Sequence, residues 1–190
     1  MFGIKSVINL KKGVEIMDFM TLAAERYSVR KFKNIHLTQE KIEKILQAGH
    51  LAPTGCNAQP QRILVLNTDE AIEKLRECTR CHFEAPTAML VCFNKDECWN
   101  RKYDGASSGP IDASIVTTHM MLEAWEIGVG TTWVMHFNPF KMREQFNIPE
   151  NIEPVALLVM GEPADDAAAM GLHNEFRDMS ETVVYGQFQA

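Results

Sequence analysis

Two arginines and a serine at alternate positions are the first candidates for chemistry. Arg26, Ser28 and Arg30 occupy positions i, i+2 and i+4 of the run RYSVRKF. In an extended chain these positions point to one side, so two guanidinium groups and a hydroxyl would converge. Such a group suits a phosphate, because arginine donates paired hydrogen bonds to it. A solvated basic loop explains the spacing equally well, and both interpretations stay open on the residues alone.

A polar loop framed by two prolines is the second candidate. The run APTGCNAQP contains Pro53, Thr54 and Asn57, followed by Gln59. An amide such as Asn57 can pair with the edge of a uracil-like ring, since it both donates and accepts hydrogen bonds. The spacing alone favours a simpler interpretation, a turn that leads from a helix into a strand.

The run CTRCH at 78–82 matches the haem-attachment pattern C-x-x-C-H. Covalent haem attachment needs export, and the sequence shows no export signal. A zinc site would need a second ligand pair at matching spacing, which Cys92 and Cys98 do not provide. A redox C-x-x-C opens a helix after a strand, whereas this one closes a predicted helix. All three functions are therefore disfavoured, and no metal is expected.

Composition limits the class of protein. The chain has 190 residues, 46% of them apolar and 23% charged, which is typical of one soluble globular domain. The net charge of −6 argues against a nucleic-acid partner. No apolar run approaches the roughly 20 residues of a membrane helix. Five cysteines without an export signal indicate reduced thiols, so we expect a cytoplasmic protein with no membrane partner.

Hydrophobic periodicity predicts the elements that must position these residues, in an interleaved α+β order. Predicted helices cover 17–25, a segment opened by Thr38 as N-cap, 69–81, 111–127 and 141–146. Predicted strands cover 62–66, 88–93, 131–135 and 154–160. Residues 99–110 are polar and predicted as a loop or lid, and a tail begins at residue 164.

The longest predicted helix, Ile111–Ile127, has apolar residues around nearly its whole circumference. A helix that is apolar on most sides is buried on most sides. One chain of this length has difficulty enclosing such a helix. We therefore expect a second copy of the chain to cover it.

Five runs in order resemble the FMN-dependent nitroreductase family of the small bacterial type. They are RYSVRKF (26–32), LAPTGCNAQPQ (51–61), IDASIVTTHMMLEAWEIGVGTTWV (111–134), IPENIEPVALLVMGEPAD (148–165) and HNEFRDMSETVVY (173–185). The resemblance implies an α+β fold with an antiparallel-rich central sheet wrapped by helices, in a homodimer with the long central helix buried at the interface. It also implies an FMN-binding domain at 17–165 and an arm at 166–190 on the partner subunit. Because it begins only at Met17, residues 1–16 are predicted to be a leader or non-native segment.

The implied activity is that of an FMN-dependent NAD(P)H oxidoreductase. Such an enzyme takes NADH or NADPH as electron donor and reduces nitroaromatic or quinone-type small acceptors by ping-pong hydride transfer. Two alternatives share the fold: a flavin-binding sensor or storage protein, and an enzyme of the flavin destructase or dehalogenase type.

The resemblance also implies a set of FMN contacts. Arg26, Ser28, Arg30 and Arg177 would hold the phosphate and ribityl chain, while Pro53, Thr54 and Asn57 would reach the flavin from the partner subunit. Trp133, Val134, Met135 and His136 would run along the isoalloxazine, with a backbone N–H near flavin N5. No catalytic side chain is implied, since flavin N5 carries the hydride; His136 is expected to contact the acceptor, by a polar or a purely steric contact. Many relatives have glycine in place of Met135, whose side chain would narrow the acceptor pocket.

Overall fold

The computed structural model describes residues 18–188, so the predicted leader at 1–16 lies outside the described residues. Its centre is a four-stranded antiparallel sheet in the order β1-β2-β4-β3. The strands are β1 (Gln61–Leu66), β2 (Thr87–Asn94), β3 (Gly130–Val134) and β4 (Ile152–Gly161). The helices are α1 (Phe19–Glu25), α2 (Gln39–His50), α3 (Asp69–Cys78), α4 (Gly109–Glu126), α5 (Pro139–Phe146) and the short α6 (Met179–Thr182). The α+β fold with an antiparallel sheet is thus confirmed.

Helices cover both faces of the sheet, which is why the central strands are apolar without interruption. Every residue of β2 is buried. Alternate side chains of β2 enter different cores: Met89 and Val91 pack with α2 and α4, and Leu90 and Cys92 pack with α3 and α5. The period of two along a strand therefore divides the interior into two hydrophobic layers.

Hydrogen bonds from side chains set the helix ends, and two of them correct the predicted boundaries. Thr38 caps α2 as predicted, with its Oγ1 accepting the N–H of Lys41. The helix predicted over 69–81 ends at Cys78 instead, because Thr79 takes an extended conformation and its side chain bonds elsewhere in the fold. The helix predicted from residue 141 begins at Pro139, because Asn138 caps the N–H groups of Phe140 and Lys141.

The long helix α4 is buried on only one side within the chain. Val116 and Met120 lie in the core below the sheet. On the other side Ile111 is 63% exposed, and Leu122 and Trp125 are partly exposed. A partner subunit was predicted to cover this helix, and the structure shows which of its sides residues 18–188 leave exposed. No helix in residues 18–188 is long and apolar enough to cross a membrane.

The tail from residue 166 to residue 188 makes little core of its own. It contains one turn of 3-10 helix at Gly171–Asn174 and then α6. Its aromatic residues Phe176, Tyr185 and Phe188 are all exposed. An arm that lies on a partner subunit, as predicted for 166–190, would have this character.

Candidate active site

The segment 26–32 lies along the outer edge of β3. The Val29 N–H donates to the Thr131 carbonyl at 2.9 Å, and the Thr132 hydroxyl donates to the Val29 carbonyl at 2.5 Å. Gly130 permits this approach, because a Cβ there would lie 2.6 Å from a side-chain carbon of Val29. Val29 is fully buried, so the alternating residues on either side of it are directed away from the core.

Those alternating residues line a cavity of about 360 Å³, called here the arginine cavity. Its walls are Arg26, Tyr27, Ser28 and Arg30 from this segment and Met170, Leu172 and His173 from the tail. His173 fixes the tail in place, since its Nε2 lies 3.1 Å from the Ala24 carbonyl and its ring packs edge-on against Tyr27. The structure therefore brings three of the four predicted phosphate ligands to one site.

No carboxylate of residues 18–188 pairs with the two arginines of the arginine cavity, Arg26 and Arg30. Arg30 instead donates to the Ser28 carbonyl at 3.1 Å, and its guanidinium carbon lies 5.7 Å from the centre of the Phe83 ring. Two cations and a hydroxyl on one wall fit a dianionic phosphate, which supplies the missing countercharge.

The fourth predicted phosphate ligand lies elsewhere. Arg177 is on the exposed tail, where it pairs with Glu181 at 3.3 Å, and it does not line the arginine cavity. An ion pair this exposed contributes little free energy, so Arg177 can exchange partners at small cost.

The proline-framed loop has an unusual backbone. Cys56, Asn57 and Gln59 have φ values of 50°, 55° and 50°, in the left-handed region that non-glycine residues rarely adopt. Such conformations persist only where the surroundings enforce them, and they occur often at functional sites. Pro53 and Asn57 are exposed, Thr54 is partly exposed, and none of the three lines the arginine cavity of their own chain.

A buried carboxylate on α4 holds this loop in place. Asp112, which is only 2% exposed, accepts the Gly55 N–H at 2.8 Å and the Ser108 hydroxyl at 2.7 Å. Within the loop, Thr54 Oγ1 accepts the Gln59 N–H at 3.0 Å. Sequence reasoning missed Asp112; the one available signal was an acidic residue in the first turn of an otherwise apolar helix.

The end of β3 presents the remaining predicted residues. Trp133 is partly exposed and Val134 is buried in the core beneath α3 and α5, whereas Met135 and His136 are exposed beyond the strand. His136 lines a second cavity of about 550 Å³, called here the histidine cavity. The two cavities therefore flank β3, one beside its first residues and the other at its end.

The first three residues of the CTRCH run, Cys78, Thr79 and Arg80, line the histidine cavity. Thr79 Oγ1 donates to the His136 carbonyl at 2.5 Å, and the Asn138 N–H donates to the Cys78 carbonyl at 2.8 Å. Burial, with a further effect of the Glu77 charge, raises the pKa of the Cys78 thiol, whereas a redox cysteine needs a lowered pKa. Residues 18–188 contain no group of three or more histidine, cysteine or acidic side chains placed to hold a metal ion.

The profile of the nitroreductase family matches residues 23–97 and 82–162 of the chain. The chain belongs to this family. A nitroreductase family protein from Clostridium difficile 630 has a structure that superposes with a TM-score of 0.85 at 42% identity, covering 90% of this chain and 100% of that one. The resemblance predicted from the five sequence runs is thereby confirmed.

Two further nitroreductase relatives carry names that describe an activity. An FMN-dependent nitroreductase from Clostridium difficile R20291 shares the fold, with a TM-score of 0.71 at 23% identity over 89% of this chain and 99% of that one. An NADPH-dependent oxidoreductase from Staphylococcus aureus strain USA300 is 27% identical over 76% of this chain and 64% of its own length. The proteins to which this chain is similar thus include one named for FMN and one named for a nicotinamide donor.

Proposed function

We propose that this chain is an FMN-dependent NAD(P)H oxidoreductase that reduces small organic acceptors of the nitroaromatic or quinone type. The observation that carries the proposal is that Arg26 and Arg30 line the arginine cavity beside the edge of β3 and form no ion pair within residues 18–188. Family membership and the names of the FMN-dependent and NADPH-dependent relatives support the same conclusion.

The residues have distinct tasks in this proposal. Arg26, Ser28 and Arg30 bind the FMN phosphate and ribityl chain, and Arg177 joins them when it leaves Glu181. The edge from Trp133 to His136 offers backbone donors and an apolar surface to a flat ring. When bound, FMN supplies the centre that accepts and donates hydride, while the protein positions it.

Charge near that centre is the main contribution expected of the chain. Arg30 would stabilise negative charge at its end of the arginine cavity, and its guanidinium would not have to move during the reaction. No acid–base pair of side chains is required for hydride transfer. We expect donor and acceptor to occupy the same space beside His136 in turn, as a ping-pong mechanism requires.

A homodimer completes the proposed site. Pro53, Thr54 and Asn57 do not line the arginine cavity of their own chain, which suits a contact with flavin in the partner subunit. The uncovered side of α4 and the exposed aromatic residues of the tail suit an interface.

Spectroscopy and steady-state kinetics test the proposal. The purified protein should show a flavin spectrum, release stoichiometric FMN on denaturation, and lose its absorbance on anaerobic titration with NADH or NADPH. Double-reciprocal plots with a donor and a nitroaromatic or quinone varied together should be parallel. Intersecting lines, or reduced protein that no such acceptor reoxidises, would contradict it. A protein that holds flavin but is not reduced by either nucleotide would instead be the sensor or storage protein.

A further inference from the structure

Arg80, which lines the histidine cavity, has no role in the reaction proposed above. The cavity is the larger of the two that flank β3, at about 550 Å³ against about 360 Å³. Arg80, the middle residue of the CTRCH run, lines it together with His136. Because His136 is the expected contact of the reacting molecule, a group bound at Arg80 would belong to that same molecule.

Arg80 is the cation of this cavity that remains available. Arg76 also lines it but is neutralised by Glu73 at 2.5 Å and Glu84 at 2.6 Å. Glu77, the acidic residue on the wall, accepts a hydrogen bond from the Gln145 amide at 2.9 Å. Arg80 is exposed and has no ion pair within residues 18–188. Its guanidinium is free to bind an oxyanion through two parallel hydrogen bonds.

The backbone around Arg80 is fixed relative to His136. The adjacent Thr79 is buried, and its hydroxyl joins the His136 carbonyl while accepting the Cys81 N–H at 3.0 Å. The N-terminus of α5 also adjoins the cavity, but the Asn138 side chain already satisfies its first free N–H groups. An anion in this cavity would therefore bind to Arg80 rather than to the N-terminus of α5.

Aromatic side chains provide the rest of the wall. Phe140 is 81% exposed and Phe137 is partly exposed, and both line the cavity. Exposed aromatic rings beside an arginine suit a ligand with one flat apolar part and one anionic part.

We propose that the histidine cavity is a subsite for the oxyanion of the molecule that reacts beside His136, with Arg80 binding a carboxylate or phosphate and Phe140 packing on the adjoining apolar part. This inference rests on the proposed function. The oxyanion has two sources, the carboxylate of an aromatic acceptor or the phosphate that distinguishes NADPH from NADH.

Paired substrates distinguish the two sources in the FMN-loaded protein. For the acceptor, 4-nitrobenzoate is compared with neutral 4-nitrobenzamide; for the donor, NADPH is compared with NADH. Arg80→Gln should lower kcat/KM by about tenfold or more for either 4-nitrobenzoate or NADPH and leave the other member of that pair unchanged, in line with a lost hydrogen bond to a charged group. The affected pair identifies the source. Lys95→Gln, which removes an exposed cation in the turn after β2, should change neither ratio.

Equilibrium binding separates failure of this inference from failure of the proposed function. Calorimetric titration of the same protein with 4-nitrobenzoate and with NADP⁺ requires no turnover. One ligand should lose about tenfold or more in affinity in Arg80→Gln and recover part of it in Arg80→Lys. If neither ligand binds, or if Arg80→Gln alters neither the binding nor either kinetic ratio, the subsite is overturned. Absence of FMN or of reduction by nucleotide would overturn the proposed function, while the titration would still test Arg80.

Discussion

Unpaired arginines are the most informative residues of this chain. Like charges that share a wall without a carboxylate repel each other, and a bound dianion converts this repulsion into attraction. A ligand that binds only the folded state also stabilises it. Arg26 and Arg30 therefore indicate a binding site both by their position in the arginine cavity and by the absence of an ion pair to either of them within residues 18–188.

Replacing Arg26 by alanine should weaken FMN binding by about 2–4 kcal/mol, the usual loss when one partner of a desolvated charged pair is removed. Fluorescence titration of the apoprotein with FMN measures the change. Arg62→Ala is a matched control, because Arg62 is exposed on β1 and pairs with Glu97, away from the arginine cavity. An Arg26→Ala variant that retains its flavin at nanomolar protein concentration would contradict the assignment.

Glu123 on α4 gives a pH-dependent prediction. Burial, reinforced by the nearby Glu126 charge, raises the pKa of the Glu123 carboxyl above its ordinary value of 4.5. A raised pKa in the folded state means that folding favours the protonated form, so the carboxylate destabilises the protein as pH rises above 4.5. Glu123→Gln should thus raise Tm at about pH 8 and leave it nearly unchanged at about pH 4. A gain of equal size at both pH values would exclude ionisation as the cause.

Residue types and spacing can predict that side chains converge when those residues are close together in the chain, but not when they are far apart. The alternation of Arg26, Ser28 and Arg30 was sufficient because neighbouring residues of an extended segment share a side. Asp112 was missed because its partner Gly55 lies 57 residues away in the chain. Arg177 was predicted from the family resemblance, and the described chain places it on the tail with Glu181.

At the scale of elements, the left-handed loop depends on α4. Replacing Asp112 by alanine leaves the Gly55 N–H without its partner, and an unsatisfied buried group costs about 1–3 kcal/mol. We expect lower stability in urea and weaker FMN binding, since the loop of Asn57 loses its tether. Asp104→Ala, which removes the exposed pair with Arg101 and the hydrogen bond from the Ala106 N–H, is the control. Unchanged stability and FMN affinity in Asp112→Ala would show that the loop holds its conformation by itself.

The contact of the 26–32 segment with β3 gives a sharper test of positioning. Gly130→Ala should displace Val29 and, with it, the cations on either side, so that FMN affinity falls. Because the conflict is between two side chains, Val29→Ala in the same chain should restore part of the affinity, and the double variant measures the coupling. Independent, additive effects of the two substitutions would show that this contact does not place the arginines.

Element types followed from periodicity, but several boundaries did not; α4, for example, begins at Gly109, inside the predicted loop 99–110. The apolar run of β2 and the cap at Thr38 predict a strand and a helix because their causes lie within the segment. The early end of α3 depends on the bond from Thr79 to His136, and the early start of α5 on the cap at Asn138. The hydrogen bond to the distant His136 carbonyl has no local signature, so the end of α3 needed the structure. The start of α5 did have one, since Asn138 followed by Pro139 is a local N-cap pattern that the prediction from residue 141 did not use.

At the scale of the whole molecule, residues 18–188 leave apolar surface that they do not cover themselves. Ile111 on α4, Leu51 beyond α2 and Phe19 on α1 are all exposed. The sequence predicted that this helix must be buried on most sides, but it could not show which side packs against the sheet. In the structure Val116 and Met120 pack in the core against the sheet, whereas Ile111 is exposed. We propose a permanent dimer that buries more than about 2,000 Å² in total, the range of obligate interfaces.

Substitutions on the two sides of α4 separate folding from assembly. Met121 packs partly against the core, so Met121→Asp should give aggregated or flavin-free protein whether or not a dimer exists. Ile111, by contrast, is 63% exposed in the chain, and Ile111→Asp should cost a monomer almost nothing. In a dimer the same carboxylate would be buried without a partner, so we expect dissociation and loss of FMN. Tyr103→Asp, at a residue that is 98% exposed in the loop before α4, is the control.

Sedimentation measures the outcome directly. The unaltered protein and Tyr103→Asp should sediment as FMN-loaded dimers, and Ile111→Asp as a flavin-depleted monomer. The site would be lost together with the dimer because the loop of Asn57 reaches flavin only from the partner subunit in this arrangement. A folded, FMN-loaded monomer of the unaltered chain would refute both the dimer and the shared site. An Ile111→Asp variant that stays dimeric and keeps its flavin would place the interface on another surface.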